Sequence, residues 1–511
     1  GNLGQVLTSG GSGVDPDWAN AGGGGGGTHS FTAAGAISNG GLVSINADGT
    51  VSTTLTKTLA VGTPVQFSTN QQAYSIASTY DSNADRVVVL NRGGNYQRGY
   101  YSVGEVDPAT NSISWGTMAY FNGGTGYDGQ QGLCATYDSN SNKVVIGWDS
   151  SGSYSYAIVG TIDPATNSMT FGTKVSIAPS LGTTNFATTN QGVTFDSNSN
   201  KVVFVFQDPG TNYGMAVVGT VSGTSISFGT PVTFSTYLYP YLANPVVTFD
   251  SNSNKIVIMY YHYYNGVSTS RAIVGTVSGT SISFGSYVQW QSGGVSYPSI
   301  AFDSKSNKVV LAWRNPTGYG SAVVGTVSGT TISFGTPVVW NSASTAEIAI
   351  TYSSGANKIA VVYQDNASGA TQFYGFAVAA TVSGTTITFE ATTTLVQNSN
   401  FTNSAATYDS ASDKVVFAHT GPPFYGWSDV FETGGTTLTK WVGIATAAIA
   451  SGAAGDIGLV GSVNGGQSSL TIGSLYYMQD DSTLSTTVVS GREVGRAVSA
   501  TQLLITQASI S

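Results

Sequence analysis

Tyr80-Asp81-Ser82-Asn83-Ala84-Asp85-Arg86-Val87-Val88 decides the architecture, because the same phrase returns six more times along the chain. It recurs as Tyr137-Asp138-Ser139-Asn140-Ser141-Asn142-Lys143-Val144-Val145, then from Phe195-Asp196, Phe249-Asp250, Phe302-Asp303, Tyr352-Ser353 and Tyr408-Asp409. The anchors Asp81, Asp138, Asp196, Asp250, Asp303, Ser353 and Asp409 stand 57, 58, 54, 53, 50 and 56 residues apart. A repeat of this period is one supersecondary unit that buries its faces only against its neighbours.

Working outward from the phrase, each unit reads as four strands. In the fourth copy Pro245 to Phe249 is a β-rich run ending at Asp250. The polar turn Ser251-Asn252-Ser253-Asn254 leads to Lys255-Ile256-Val257-Ile258-Met259-Tyr260. A longer polar loop follows, then Ala272-Ile273-Val274-Gly275-Thr276-Val277, and Ser278-Gly279-Thr280 turns the chain into Ser281-Ile282-Ser283-Phe284. β-Branched and aromatic runs bounded by Gly, Asn, Asp and Ser are strand and hairpin signals, and no stretch carries a helical period. Four strands in about 50 residues fit a propeller blade, whereas an immunoglobulin-like sandwich needs about 100. The second and third strands are almost continuously apolar, as expected when neighbouring blades cover both faces.

The expected fold class is therefore all-β: a seven-bladed β-propeller over residues 59–441. It is flanked by an N-terminal Gly-rich stalk segment with a β-hairpin (1–58) and a small C-terminal β module (442–511). Gly62-Thr63-Pro64-Val65-Gln66-Phe67 matches Gly229-Thr230-Pro231-Val232-Thr233-Phe234, and that piece is missing after Trp441. The N-terminal segment is thus expected to complete the last blade and close the ring, leaving no long free edge. Small residues at one place in the third strand (Gly104, Gly160, Gly219, Gly275, Gly325, Ala380) are expected to let blades approach closely, with Phe431 departing in the seventh copy. In the N-terminal flank, Ala47-Asp48-Gly49-Thr50 signals a hairpin between Gly41–Asn46 and Val51–Thr54, after a connector of six glycines, Gly22 to Gly27.

Only 8% of the 511 residues are charged, against an average near 25%. Solubility must then come from hydroxyls and amides, a surface common in secreted or particle-borne β proteins. A net charge of −9 argues against binding a phosphate backbone, so no nucleic-acid partner is expected. No apolar run reaches the ~18 residues of a membrane span, and no membrane insertion is expected. No leader-like segment opens the chain, which is expected to be processed or partial at Gly1. The single cysteine, Cys134, sits in an apolar strand and reads as a core residue.

The ends carry a resemblance. Gly4-Gln5-Val6-Leu7-Thr8-Ser9 followed by Pro16-Asp17-Trp18 resembles a segment common in fibre proteins of tailed bacteriophages. Gly458-Leu459-Val460, then Leu470-Thr471-Ile472-Gly473-Ser474-Leu475-Tyr476-Tyr477-Met478-Gln479-Asp480-Asp481-Ser482-Thr483-Leu484-Ser485-Thr486-Thr487, is similar to a small β module of phage fibres and other virion proteins, especially those of marine cyanobacterial phages. The closing Val494-Gly495-Arg496-Ala497-Val498-Ser499-Ala500-Thr501-Gln502-Leu503-Leu504-Ile505 fits the same pattern. The resemblance covers about the first 20 and last 70 residues and none of the repeats. It implies a virion structural protein on the particle surface. It also implies contact with other virion proteins and assembly as a homo-oligomer, foremost a trimer, with one end anchoring and another meeting a host-surface glycan or protein.

For chemistry, the Asp-Ser-Asn-Ser-Asn phrase suggests a calcium loop, but it lacks the loop's Gly and distal Glu, and Ser353 replaces its first ligand. Asp and Asn suit hairpin turns for their own reasons, so no metal and no cofactor are expected. A glycosidase needs two carboxylates flanking the scissile bond. Glu105, Asp128, Asp149, Asp208, Glu347 and Asp365 are the candidate acids outside the repeated turns, and Asp149, Asp208 and Asp365 recur at one place, which points to a turn role. Arg92, Arg98, Arg271 and Arg314 are scattered over different repeats, and His29, His262 and His419 are far apart in sequence. No catalytic residue is expected.

Binding is better signalled. The first-to-second and third-to-fourth turns, at one end of the blades, are short and alike in every copy. The second-to-third loops and blade connections, at the other end, vary and carry aromatics. Tyr96, Tyr154, Tyr213, Tyr264, Tyr319, Tyr374 and Tyr425 occupy similar places in those loops, and blade connections add Tyr127, Tyr237, Tyr239, Tyr241 and Tyr297. The receptor-binding candidates are the seven loop tyrosines with Tyr239 and Tyr241. Loops on a rigid scaffold are where recognition sits, although each ring could equally pack against the next blade. Three functions remain open: host-surface engagement, architectural decoration of head, neck or tail, and polysaccharide degradation.

Overall fold

A computed structural model of the chain is all-β. It describes residues 5–8 and 17–20, then 27–506 apart from 35, 46–48, 54–55, 69–71, 95–97, 109, 122–130, 151–153, 179–191, 209, 239–244, 367–373, 397–400, 437–440, 479–483 and 487–492.

Seven antiparallel sheets follow one another as blades 1 to 7. Blade 4 shows the pattern: Val246–Asp250 innermost, then Lys255–Tyr264, Val267–Ser278 and Ser281–Phe284. A short fifth strand, Val288–Ser292, returns to pair with the upper half of the third, beyond the reach of the four-residue fourth strand. The four-strand reading therefore needs this addition in every blade. The third strand is long enough to carry two short partners end to end.

Seven apolar cores lie between adjacent blades, and they run in a cycle. Val203, Val205 and Phe234 of blade 3 meet Ile256, Ile258 and Ile273 of blade 4. The last core joins blade 7 to blade 1 through Val416, Ala418 and Val430 against Val87 and Val89. Faces that would expose rows of Val and Ile in an isolated blade are covered on both sides, at about 25 cal/mol per Å² of apolar area removed from water. The stability of any blade thus depends on its neighbours.

The N-terminal segment closes the ring more fully than the sequence indicated. Thr56–Val61 supplies the fourth strand of blade 7 and Val65–Gln66 its fifth, against Thr402–Asp409, Lys414–Gly421 and Tyr425–Thr436. Trp441 opens a strand of the flanking unit, Trp441–Ala445. Two conserved-looking glycine positions have different roles. A Cβ on Gly219 would fall 2.9 Å from Phe228, the ring opposite it in its own sheet. This corrects the blade-approach reading: the third-strand glycine makes room for a cross-strand aromatic. In blade 7 the large ring moves to the third strand. Phe431 takes the glycine's place and Val61 that of the aromatic, as the matching bonds Gly62 N–H to Val430 O and Gly229 N–H to Val218 O show (both 2.9 Å). Close blade approach belongs to the glycine after the fourth strand. A Cβ on Gly229 would stand 1.9 Å from the carbonyl oxygen of Thr280 in the next blade, and one on Gly62 1.7 Å from that of Asn111.

The chain forms two compact units, Leu59–Thr433 and a second unit made of Gly1–Thr58 together with Gly434–Ser511. The flanks therefore do not stay apart as a stalk and a separate module. Thr28–Thr32 pairs with Ala454–Gly458, which pairs with Trp441–Ala445, and that strand pairs with Leu42–Ile45. The Asp-Gly hairpin is present, with Leu42–Ile45 against Val51–Thr53 and Gly49 at φ +80°. A second sheet gathers Leu475–Met478, Glu493–Ala497 and Leu503–Ile505 over a core of Tyr476, Met478, Val494 and Leu503. Among the described residues no helix is long and apolar enough to cross a membrane.

Candidate functional site

The two ends of the blades are chemically distinct. At the turn end the repeated aspartates act on the backbone. Asp250 Oδ1 accepts the N–H groups of Asn252 and Ser253 at 2.9 and 3.0 Å, and Oδ2 accepts the Ser253 hydroxyl at 2.7 Å. Asp81, Asp138, Asp196, Asp303 and Asp409 each accept the same two backbone N–H groups. The last turn residue is left-handed in all seven copies (Asp85, Asn142, Asn200, Asn254, Asn307, Asn357, Asp413; φ 54–57°), a conformation that Asn and Asp tolerate. Ser353 cannot make the carboxylate bonds and instead shares a hydrogen bond with Thr433 at 3.0 Å. The phrase is thus turn chemistry with its oxygens already engaged. Among the described residues no group of three or more His, Cys, Asp or Glu could hold a metal.

A cavity of about 520 Å³ opens at this turn end, ringed by the inner strands of all seven blades. Thr79, Thr136, Thr194, Thr248, Thr351 and Thr407 line it, with Ala301 in the fifth copy. Each inner strand pairs on one side only, so its other edge presents backbone N–H and C=O groups there, which makes the lining polar. The aromatic before each anchor packs between blades. Tyr408 donates to Asp413 at 2.8 Å and accepts the Gly355 N–H of blade 6 at 2.9 Å. Burial pushes the phenols of Tyr80, Tyr352 and Tyr408 well up. In blades 3 to 5 phenylalanine fills the place.

The loop end gathers most of the described candidates. Tyr154, Tyr213, Tyr374 and Tyr425 open third strands, Tyr264 closes a second strand, and Tyr319 immediately precedes a third. All six therefore sit at the end of the blade opposite the Asp turns. Tyr213 is 38% exposed, Tyr264 56% and Tyr319 39%, while Tyr374 and Tyr425 are half-buried. Tyr96, Tyr127, Tyr239 and Tyr241 lie outside the described residues. Tyr237 of blade 3 is half-buried and meets Tyr264 of blade 4 edge-on at 5.8 Å, so packing and exposure coexist in one cluster.

The acids outside the turns have local tasks. Asp149 accepts the Ser155 hydroxyl at 2.5 Å, Asp208 the Gly210 N–H and Thr211 hydroxyl, and Asp365 the Asn341 amide at 3.1 Å. Glu105 pairs with Arg86 at 3.0 Å. Glu347 accepts the Asn403 N–H of the next blade at 2.8 Å, and burial raises its carboxyl pKa against the lowering effect of backbone bonds from Asn403 and Ser404. Asp128 is outside the described residues. His419 is buried against Asp429 at 2.8 Å and stacks on Phe401, and His29 packs edge-on against Phe31. Cys134 is buried, which pushes its thiol up.

What the sequence did not show is a set of cations laid on tyrosine rings. Arg98 lies 5.2 Å from Tyr120, Lys174 4.6 Å from Tyr156, Arg271 4.0 Å from Tyr287 and Arg92 5.6 Å from Tyr74. Tyr120 and Tyr287 belong to the returning fifth strand or its approach, which period counting does not reveal. Three of the four scattered arginines, Arg92, Arg98 and Arg271, share this arrangement without converging on one point.

No protein-family model matches the chain, and no curated protein matches it in sequence. Solved structures similar in fold include AofleA from Arthrobotrys oligospora (12% identity, 69% of this chain and 92% of that one, TM-score 0.39). They also include the NanB sialidase from Streptococcus pneumoniae (12%, 74% and 71%, TM-score 0.40) and the Dos1 propeller (10%, 73% and 95%, TM-score 0.42). The likeness is one of fold.

Proposed function

We propose that this chain is a virion structural protein of a tailed phage, a fibre or appendage component whose propeller meets the host surface through its loop end. The terminal segments resemble phage fibre segments, and the observation that carries the surface role is the contrast between the two ends. Tyrosines at the turn end are tied to neighbouring turns, whereas Tyr213, Tyr264 and Tyr319 present exposed rings with polar tips on variable loops. Such rings supply large contact area at low entropic cost and suit a glycan or protein surface. The role is binding without catalysis: the candidate acids among the described residues are engaged in hairpin or interblade bonds. The protein works as a homo-oligomer, foremost a trimer, beside other virion proteins.

The test is adsorption. Purified protein is expected to bind cells of the phage's host and to block infection in competition, and labelling on virions is expected to place it on an exposed appendage. Absence of adsorption, or a loop end buried against the capsid, would favour a decorating role instead.

A further inference from the structure

Among the described residues blade 4 has the longest paired register between second and third strands, Lys255–Tyr264 against Val267–Ser278, and its upper part carries a strip of side chains on one face. Tyr260, His262 and Tyr264 alternate onto that face, and Arg271 and Thr269 join them by register, opposite Tyr260 and His262. It is the face turned to blade 3, since Tyr260 packs on Phe234 at 5.2 Å. Tyr237 of blade 3 adds a second wall, 5.8 Å from Tyr264 and 6.5 Å from His262. Tyr287, half exposed, lies under the Arg271 guanidinium at 4.0 Å.

Charge makes this strip unusual. The chain holds 17 Lys and Arg, and seven of them (Arg86, Lys143, Lys201, Lys255, Lys308, Lys358 and Lys414) follow the repeated turns. Arg271 stands instead among tyrosines. Its Nε donates to the Thr269 hydroxyl at 3.1 Å, and among the described residues it meets no carboxylate. Burial, then the nearby Arg271 charge, keep the buried His262 below its ordinary pKa, so the imidazole is neutral at neutral pH and leaves Arg271 as the charge of the strip. A guanidinium is built to grip a carboxylate through paired N–H groups, and exposed tyrosine rings offer flat faces to pyranose C–H groups.

We infer that this strip between blades 3 and 4 binds a carboxylated saccharide, with Arg271, positioned by the buried Thr269 hydroxyl, holding the carboxylate and Tyr264 and Tyr237 stacking on the adjoining sugar. This rests on the loop end being the recognition surface and names the ligand class for it. A guanidinium fork also fits a sulfate ester, so dextran sulfate is the competitor that decides the class.

The experiment measures binding of the full chain to alginate and polygalacturonate oligomers, to their carboxyl-reduced forms and to dextran sulfate, with host-cell adsorption read in parallel. Binding is expected to the carboxylated oligomers and to be lost on carboxyl reduction. Arg271→Gln is expected to weaken it by about tenfold or more, and Tyr264→Ala by about tenfold. Asn252→Ala, at the turn end, is expected to leave it unchanged. Binding to neither acidic oligomer, equal binding to the reduced forms, preference for dextran sulfate, or an unaffected R271Q protein would overturn the inference. If adsorption to cells persists in R271Q, the carboxylate site fails while the loop-end reading stands; if the native protein does not adsorb at all, both fail.

Discussion

The turn end and the loop end of the propeller are made from the same strands, yet one repeats itself in every blade and the other does not. Each Asp carboxylate at the turn end collects two N–H groups of the following turn, and the left-handed residue that closes the turn is always Asn or Asp. Such a turn has one workable geometry, so copies stay alike. At the loop end the hairpins differ in length and the tyrosines differ in exposure, from half-buried Tyr374 to Tyr264 at 56%. Uniformity marks where the backbone needs the side chain. Variation marks where it does not, and the proposed recognition surface lies there.

That comparison can be broken by substitution. The largest effect is expected at a turn. Asp250→Ala removes a buried acceptor from two N–H groups and a hydroxyl, and should lower stability by about 3 kcal/mol in denaturation. A loss below about 1 kcal/mol would show the turns to be self-sufficient. Next comes the blade contact: Gly229→Ala drives a Cβ against the Thr280 carbonyl and should cost about 2 kcal/mol. Removing the Tyr408 hydroxyl, which joins blades 6 and 7, should cost about 1 kcal/mol, because phenylalanine serves at that place in three other blades.

Glu347 should move the other way. Its folded pKa is raised, so the protonated form favours the fold; that contribution is complete below the ordinary pKa of 4.5 and is lost as pH rises through the folded value. Glu347→Gln keeps an acceptor for the Asn403 N–H without the buried charge. Stability at pH 7 should rise by under about 1 kcal/mol, and the pH dependence just above 4.5 should flatten. The smallest effect on stability is expected from Tyr264→Ala, within about 0.5 kcal/mol, measured by thermal unfolding.

Much of the fold was legible because its cause is local and repeated. The turn phrase, the Val-rich second strand and the matching Gly62–Phe67 and Gly229–Phe234 segments announce blades and a closed ring before any contact is known. Pairings between distant positions were not legible. Thr28–Thr32 meets Ala454–Gly458 across the whole propeller in sequence, and nothing periodic links them. The third-strand glycines were visible, but only the register shows that Phe228 lies over Gly219. The loop tyrosines were found by position alone. The cations on Tyr120 and Tyr287 stayed hidden, because the returning strand that carries or adjoins those tyrosines is two to five residues long and has no signal of its own.

The central claim is that the ends divide scaffold from recognition, and host-cell adsorption of two variants tests it most directly. One carries Tyr213→Ser, Tyr264→Ser and Tyr319→Ser; the other carries lysine at the exposed turn positions Ser251 and Asn252. The account expects the first to fold with its melting temperature little changed and to lose adsorption, and the second to adsorb like the native protein. Retained adsorption in the first with loss in the second would contradict it.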